Sequence, residues 1–260
     1  MKMFTHNSQM IKTLCLICFL AIFLTSCSKE SSVSAPSQKS ADEIKFEAEV
    51  KGLVQSGKDV NNAEKLVGET SVPILYWAVS KKYVDATKML LENGANPNIT
   101  FKETHTALSE TIVEAQYGKS STDQPIIDKT KAIAELLIKH GANVNYSSKV
   151  SGAPLHKAAK MGRVDLCKLF IESGADANAL DELLGQTPLH NAAKNGYWEC
   201  VQILLEKGAQ PNIKNKLGQT ALSFAEKREM EPVYKKTGKG YYPSADYDKT
   251  IQVLKQHGAE

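Results

Sequence analysis

The chain has 260 residues, of which 42% are hydrophobic and 23% charged, enough apolar material for one or two packed domains. Its formal net charge is +3, and two of the cations, Lys2 and Lys12, lie in the first 26 residues, which hold no acid. Nothing in that balance points to nucleic-acid binding, which calls for a concentrated basic patch.

The apolar run TLCLICFLAIFL, residues 13–24, follows this lysine-bearing start. It is shorter than the roughly 20 residues a membrane-spanning helix needs and suits the hydrophobic region of a secretory signal. It ends in LTSC, residues 24–27, which resembles the bacterial lipobox. The resemblance implies cleavage before Cys27 and lipidation of its thiol, with 1–26 as the signal peptide; the alternative is an apolar anchor left unprocessed. Ser28 is not the Asp that favours inner-membrane retention in enteric bacteria, so the expected site is the outer membrane, facing the periplasm, although that sorting code differs between lineages. The stretch SKESSVSAPSQKSA, residues 28–41, has too few large apolar groups to fold, and 27–41 is expected to be a flexible tether.

From residue 42 onward a Gly followed four residues later by Asn recurs: Gly57/Asn61, Gly94/Asn98, Gly141/Asn145, Gly174/Asn178 and Gly208/Asn212, with Gly258 near the end. The spacings are 37, 47, 33, 34 and 50 residues. Each Gly from Gly94 on closes an apolar helical pattern, as in KMLLENG and QILLEKG, and a left-handed Gly ends a helix at no steric cost. A Leu precedes the Gly by 19 residues at Leu75, Leu155 and Leu189.

In chain order, Ser40 and Glu43 are spaced as a capping box before one helical pattern, which reads as an N-terminal cap. The unit PILYWAVSKKYVDATKMLLENGANPN, 73–98, keeps the register. In the next unit Leu108 stands 33 residues before Gly141, an insertion of 14 residues near 116–129. Two near-copies follow, GAPLHKAAKMGRVDLCKLFIESGADAN at 152–178 and GQTPLHNAAKNGYWECVQILLEKGAQPN at 185–212. The last unit, from Gly218, has 36 residues between Leu222 and Gly258, an insertion of 17 near 229–248, and is expected to cap the C-terminal end.

The TPLHNAAKNG and APLHKAAKMG stretches, with the period near 33, resemble ankyrin repeats. The resemblance implies an all-α solenoid of helix–turn–helix units joined by short β-hairpins, about six repeats including degenerate caps, over 42–260. Thr187 then caps the inner helix, and Pro188 takes its first position, where no amide is needed. Relative to the repeat motif, the 73–98 unit puts Ile74 in the Pro position and Tyr76 in the His position.

His156 and His190 share one motif position, and the family reading makes them hydrogen-bonding struts between turn and neighbouring repeat rather than catalysts. His140 and His257 suit the negative ends of their helices. No H-E-x-x-H, phosphate loop or G-x-S-x-G occurs, so neither an enzyme, a metal nor a cofactor is expected. Cys167 and Cys200 lie out of register on neighbouring outer helices and are expected to be buried free thiols, a disulfide being the alternative. Trp198 aligns with the core position Val164. Trp77 aligns with Lys157 and Asn191, an exposed inner-helix position.

The resemblance implies a monomeric module that binds another protein through inner helices and hairpins, held to a membrane by the lipid on Cys27. On that surface lie Trp77, Lys157, Lys160, Asn191 and Lys194, with Phe101, Tyr146, Leu180 and Leu183 on the hairpin segments. Tyr241 and Tyr242, in the Tyr-rich last insert, form a second candidate contact or fold back onto their own repeat. Similar bacterial envelope proteins include partners of secreted toxic enzymes such as lipases, which makes a type VI immunity or accessory role one expectation. An envelope structural or assembly factor without a toxin partner is the other.

Overall fold

The computed structural model describes residues 39–102, 105–112, 124–148, 152–230 (backbone alone for 228–230) and 246–260. The signal segment 1–26, Cys27, the tether up to residue 38, and Tyr234, Tyr241 and Tyr242 lie outside them. Among the described residues no helix is long and apolar enough to cross a membrane.

Helix α1 (Ala41–Gln55) opens the domain. Ser40 caps it by accepting from the Glu43 amide at 3.1 Å, while the Glu43 carboxylate turns to Lys129 Nζ at 3.3 Å. A 3-10 turn (Val60–Asn62) leads to the antiparallel pair β1 (Glu64–Val67) and β2 (Thr70–Pro73), with Glu64 opposite Pro73. Helix pairs follow: α2 (Ile74–Ser80) and α3 (Val84–Glu92), then α4 (Ala107–Glu110) and α5 (Gln124–Lys139). Next come α6 (Pro154–Lys160) with α7 (Val164–Glu172), α8 (Pro188–Lys194) with α9 (Trp198–Glu206), and α10 (Ala221–Met230) with α11 (Tyr247–Gln256). Between the first two pairs, β3 (Thr100–Phe101) meets β4 (His105–Thr106), and before α6 the hairpin is reduced to a single bridge, Ser148 to Gly152.

Inner helices α2, α4, α6, α8 and α10 stack side by side, as do outer helices α3, α5, α7, α9 and α11, and α1 packs on α3 at the outer layer. One apolar core runs through every pair, from Phe46 to Ala259. Ala158, Ala159, Ala192 and Ala193 are wholly buried between the stacked helices, where a larger side chain would push the layers apart. A single pair buries little by itself, so stability is shared along the stack.

The helix-ending glycines behave as the sequence predicts. Gly94, Gly141, Gly174, Gly208 and Gly258 all have φ between 80° and 94°. The asparagine four residues on has a role that the sequence leaves unread. Asn61 Nδ2 donates to the Gly94 carbonyl at 3.0 Å, and its Oδ1 accepts from the Asn96 amide at 2.7 Å. Asn98 does the same to Gly141 and Asn143, Asn145 to Gly174 and Asp176, Asn178 to Gly208 and Gln210, and Asn212 to Gly258 and Glu260. Each carboxamide thus spends both ends on the main chain of the following repeat. The ladder crosses both insertions without a missing rung.

The insertions differ from the expected bounds. Residues 124–129, assigned to the first insert, are the opening of α5, which runs 16 residues where α3, α7 and α9 run 9. Of the second, 229–230 belong to α10, and Asp246 caps α11 by accepting from the Lys249 amide at 2.9 Å.

Candidate functional site

The two motif histidines are struts, with the chemistry written in their bonds. His190 Nε2 donates to the Gln219 carbonyl of the next repeat at 3.0 Å. Its Nδ1 accepts from the Thr187 amide at 3.1 Å and lies 2.8 Å from Thr187 Oγ1, while Thr187 Oγ1 accepts from the His190 amide. These bonds require the neutral ring with its proton on Nε2. His156 Nε2 bonds the Gln186 carbonyl at 3.0 Å in the same way. Ala153 offers no hydroxyl, however, and His156 Nδ1 finds no hydrogen-bond partner among the described residues. Burial pushes both histidines below their ordinary pKa, against the pull of the carbonyl bonds. Neither adjoins a group of three or more His, Cys, Asp or Glu able to hold a metal among the described residues.

In the second repeat Tyr76 replaces the histidine and donates to the Glu110 carboxylate of the next inner helix. Burial, then that bond and the carboxylate charge, raise its pKa far above the ordinary phenol value. Lys82 stands where Gly162 and Gly196 stand in later repeats, with φ 60°, and its ammonium donates to the Thr111 carbonyl at 2.8 Å. At Gly162 a Cβ would sit 2.9 Å from the Tyr197 ring, and at Gly196 3.2 Å from Tyr247. Tyr247, which the sequence places in the Tyr-rich insert, therefore folds onto the preceding repeat, where its hydroxyl donates to the Lys194 carbonyl at 3.2 Å.

Cys167 and Cys200 are buried and free, as expected. They are nevertheless neighbours: a hydrogen bond with the Cys200 thiol, then burial, pushes the Cys167 thiol well above its ordinary pKa. Trp198 is half-buried against the core, with Lys249 Nζ 3.2 Å from its ring centre.

The residues expected to face a partner fall into two groups. Trp77 is half-buried and packed on the core, with Lys81 Nζ 4.5 Å from its ring centre, so it is not the idle exposed aromatic the alignment suggested. Phe101 is likewise half-buried, its ring 5.1 Å from that of Tyr76. Tyr146 is half-buried as well. Asn191 Nδ2 donates to the His156 carbonyl and Lys157 Nζ to the Ser109 carbonyl, both at 3.4 Å, so these side chains lean on the preceding inner helix. Burial holds Lys157 below its ordinary pKa, Glu110 opposing and Lys160 reinforcing the shift. Lys194 Nζ lies 5.7 Å from the Phe224 ring centre.

Leu180 and Leu183, by contrast, are 54% and 65% exposed, and Lys160 is exposed. Leu217, in the next loop, is 68% exposed and was not singled out from the sequence. KLGQT at 216–220 repeats the LLGQT of 183–187, but it aligns Leu217 with the half-buried Leu184, so the repeat gives no hint of its exposure. A groove of about 440 Å³ between α5 and α7 lies on the outer layer and carries both signs of charge, among them the Lys131–Glu135 pair.

Stacked helix pairs that leave an inner-helix face and a row of loop tips open to solvent define a repeat solenoid, a class whose surfaces serve to bind other macromolecules. A family model described as ankyrin repeats matches in three copies over residues 126–181 and 155–235, and one described as ankyrin repeat matches 73–102. The ankyrin repeat protein FPV230 of fowlpox virus is 33% identical over 126 residues, 41% of this chain and 67% of that one. The B-cell lymphoma 3 protein homolog of Mus musculus is 28% identical over 103 residues, 40% of this chain and 20% of that protein. Protein PhlB of Serratia liquefaciens is 33% identical over 119 residues, 45% of each chain. The chain belongs to the ankyrin-repeat family. Its repeats are of a type that mediates protein–protein interaction, and no catalytic domain is matched.

Proposed function

We propose that this chain is a lipid-anchored module of a bacterial cell envelope that binds another protein without catalysing a reaction of its own. The observation that carries the binding reading is the set of exposed leucines on the loop tips, Leu180, Leu183 and Leu217, apolar groups the packed core does not use. The anchor rests on the lysine-bearing start, the apolar run and LTSC ending at Cys27. A 33% identical relative in Serratia liquefaciens is in keeping with a bacterial setting. The partner proposed is a secreted enzyme that the module restrains or assists, as an immunity or accessory protein would.

Two measurements test this. Cys27→Ser is expected to abolish incorporation of labelled fatty acid and processing before residue 27; undiminished labelling would remove the anchor. Purification of the full chain from membranes, with mass spectrometry of what copurifies, is expected to return one stoichiometric secreted protein. Recovery of envelope assembly components instead would favour a structural role.

A further inference from the structure

The repeats are not joined with equal strength at every boundary. One motif position ties each inner helix forward: Tyr76 to Glu110, His156 to the Gln186 carbonyl and His190 to the Gln219 carbonyl. In the third repeat that position is Ser109, whose hydroxyl turns back to the Thr106 carbonyl of its own helix start at 3.0 Å. Its side chain is too short to reach the next repeat. The acceptor a longer group would find there is the Gly152 carbonyl, which precedes Ala153 as Gln186 precedes Thr187 and takes the Ser148 amide at 3.3 Å.

A second position agrees. After the inner-helix turn, an aromatic ring packs backward at two boundaries: Tyr83 lies 5.5 Å from the Phe46 ring of α1, and Tyr197 rests against Gly162. Between the third and fourth repeats this residue is Arg163, whose guanidinium pairs with Asp165 of its own helix at 2.8 Å and meets the Ile127 carbonyl at 3.4 Å. The Lys157 bond back to the Ser109 carbonyl is equally long. Helix α4 runs four residues where α2, α6 and α8 run seven, and the groove between α5 and α7 opens at this same boundary. The Asn145 rung is kept, at 2.9 Å to both Gly174 and Asp176, as is the continuous apolar core.

In a solenoid, stability is the sum of each repeat and its interfaces, so the chain yields first where an interface is weakest. We propose that the boundary between the third and fourth repeats is a hinge. Residues 40–148 and 152–260 form two cooperative blocks, which pivot about the Asn145 rung in the folded state and unfold one without the other. Motion there bends the inner-helix face and opens or closes the groove while each block stays intact. The hinge is a property of the chain itself, whatever its partner.

The two tryptophans fall one in each block, Trp77 and Trp198. Urea unfolding followed by fluorescence in Trp198→Phe and in Trp77→Phe therefore reports the blocks separately. Adding His190→Ala is expected to lower the midpoint that Trp198 reports by about 0.5 M or more and to leave the one that Trp77 reports in place. In the folded state, spin labels on Glu135→Cys with Lys168→Cys span the hinge, and labels on Lys168→Cys with Gln202→Cys span the next boundary. All three sites stand six residues before a helix-ending glycine. The first pair is expected to give the broader distance distribution. Ser109→His, whose ring can reach the Gly152 carbonyl, makes the Trp77 transition follow the His190→Ala shift; Arg163→Tyr is an independent route to the same coupling.

Equal shifts at both tryptophans with the native boundary, or equally narrow distances for both label pairs, would overturn the hinge. Neither readout depends on a boundary variant folding. Separate transitions that neither folded boundary variant couples would also overturn it, because the break would then lie elsewhere in the stack.

Discussion

The second and third repeats and the fourth and fifth solve the same packing problem with different side chains. In the later pair each inner helix is tied forward by a histidine to a main-chain carbonyl, Gln186 or Gln219. In the earlier pair the tie is a phenol to a carboxylate, Tyr76 to Glu110. At the following turn the later repeats use glycines under a tyrosine ring, and the earlier one uses Lys82, left-handed and bonded to the end of the next inner helix. The asparagine ladder is the same in both regions. The inner-helix tie is thus exchanged between a main-chain and a side-chain partner, while the asparagine link to the next repeat's main chain is kept throughout.

The largest expected effect breaks this contrast at the turn. Gly162→Ala places a Cβ against Tyr197 on a left-handed backbone and is expected to lower stability by about 3 kcal/mol. Lys82→Gly, at the equivalent position, relieves its φ but gives up its carbonyl bonds, so denaturant titration should find it within about 0.5 kcal/mol of wild type.

Next in size is His190→Ala, which strands the Gln219 carbonyl and the Thr187 cap. A loss of about 2–3 kcal/mol is expected, against about 1–2 kcal/mol for His156→Ala, whose Nδ1 has no bond to lose. Equal losses in urea unfolding would show that the cap on His190 contributes nothing.

Acid sharpens the comparison further. Both histidines are held below their ordinary pKa of 6.5, so between the folded and unfolded values the unfolded chain binds more protons. Their contribution is whole above pH 6.5 and is lost as pH falls below it, by at most about 1.4 kcal/mol per pH unit for each. His156→Gln with His190→Gln should flatten the dependence of the unfolding midpoint between pH 7 and 5. An unchanged slope would place the titration elsewhere.

The smallest expected effect is a gain. Ala153→Thr supplies the hydroxyl that His156 Nδ1 lacks, on a backbone (φ −72°, ψ 163°) close to that of Thr187 (φ −87°, ψ 166°). A stabilisation of about 1 kcal/mol is expected, read as a higher urea midpoint at unchanged slope.

What the sequence made legible was local or repeated. Thr187 and Pro188 announce a helix start within three residues, and the glycines announce helix ends because few other residues enter that conformation. The histidine links were readable from the recurrence of the motif. The asparagine bonds were not, since their partners are main-chain atoms 29 to 48 residues away, which no side-chain pattern reports. Trp77 was misjudged for a related reason: alignment gives its place on the helix, but the packing around its ring and the position of Lys81 are set by the folded stack. The contact of Cys167 with Cys200, one residue out of register, has the same origin. Leu183 could be read as exposed because turn chemistry surrounds it, whereas Leu217 aligns with the half-buried Leu184, and the alignment hides its exposure.

The ladder of asparagines has a consequence for descent. Each carboxamide recognises its successor by a glycine carbonyl and the amide two residues on, so the identity of the side chains there is left open, as Asn96, Asp176 and Gln210 illustrate. A unit that was duplicated, deleted or acquired by recombination would be seated on arrival, without compensating mutations at the junction, provided it ended in a left-handed glycine. Genes of this construction are free to change in length by whole units while the lateral face diversifies for new partners.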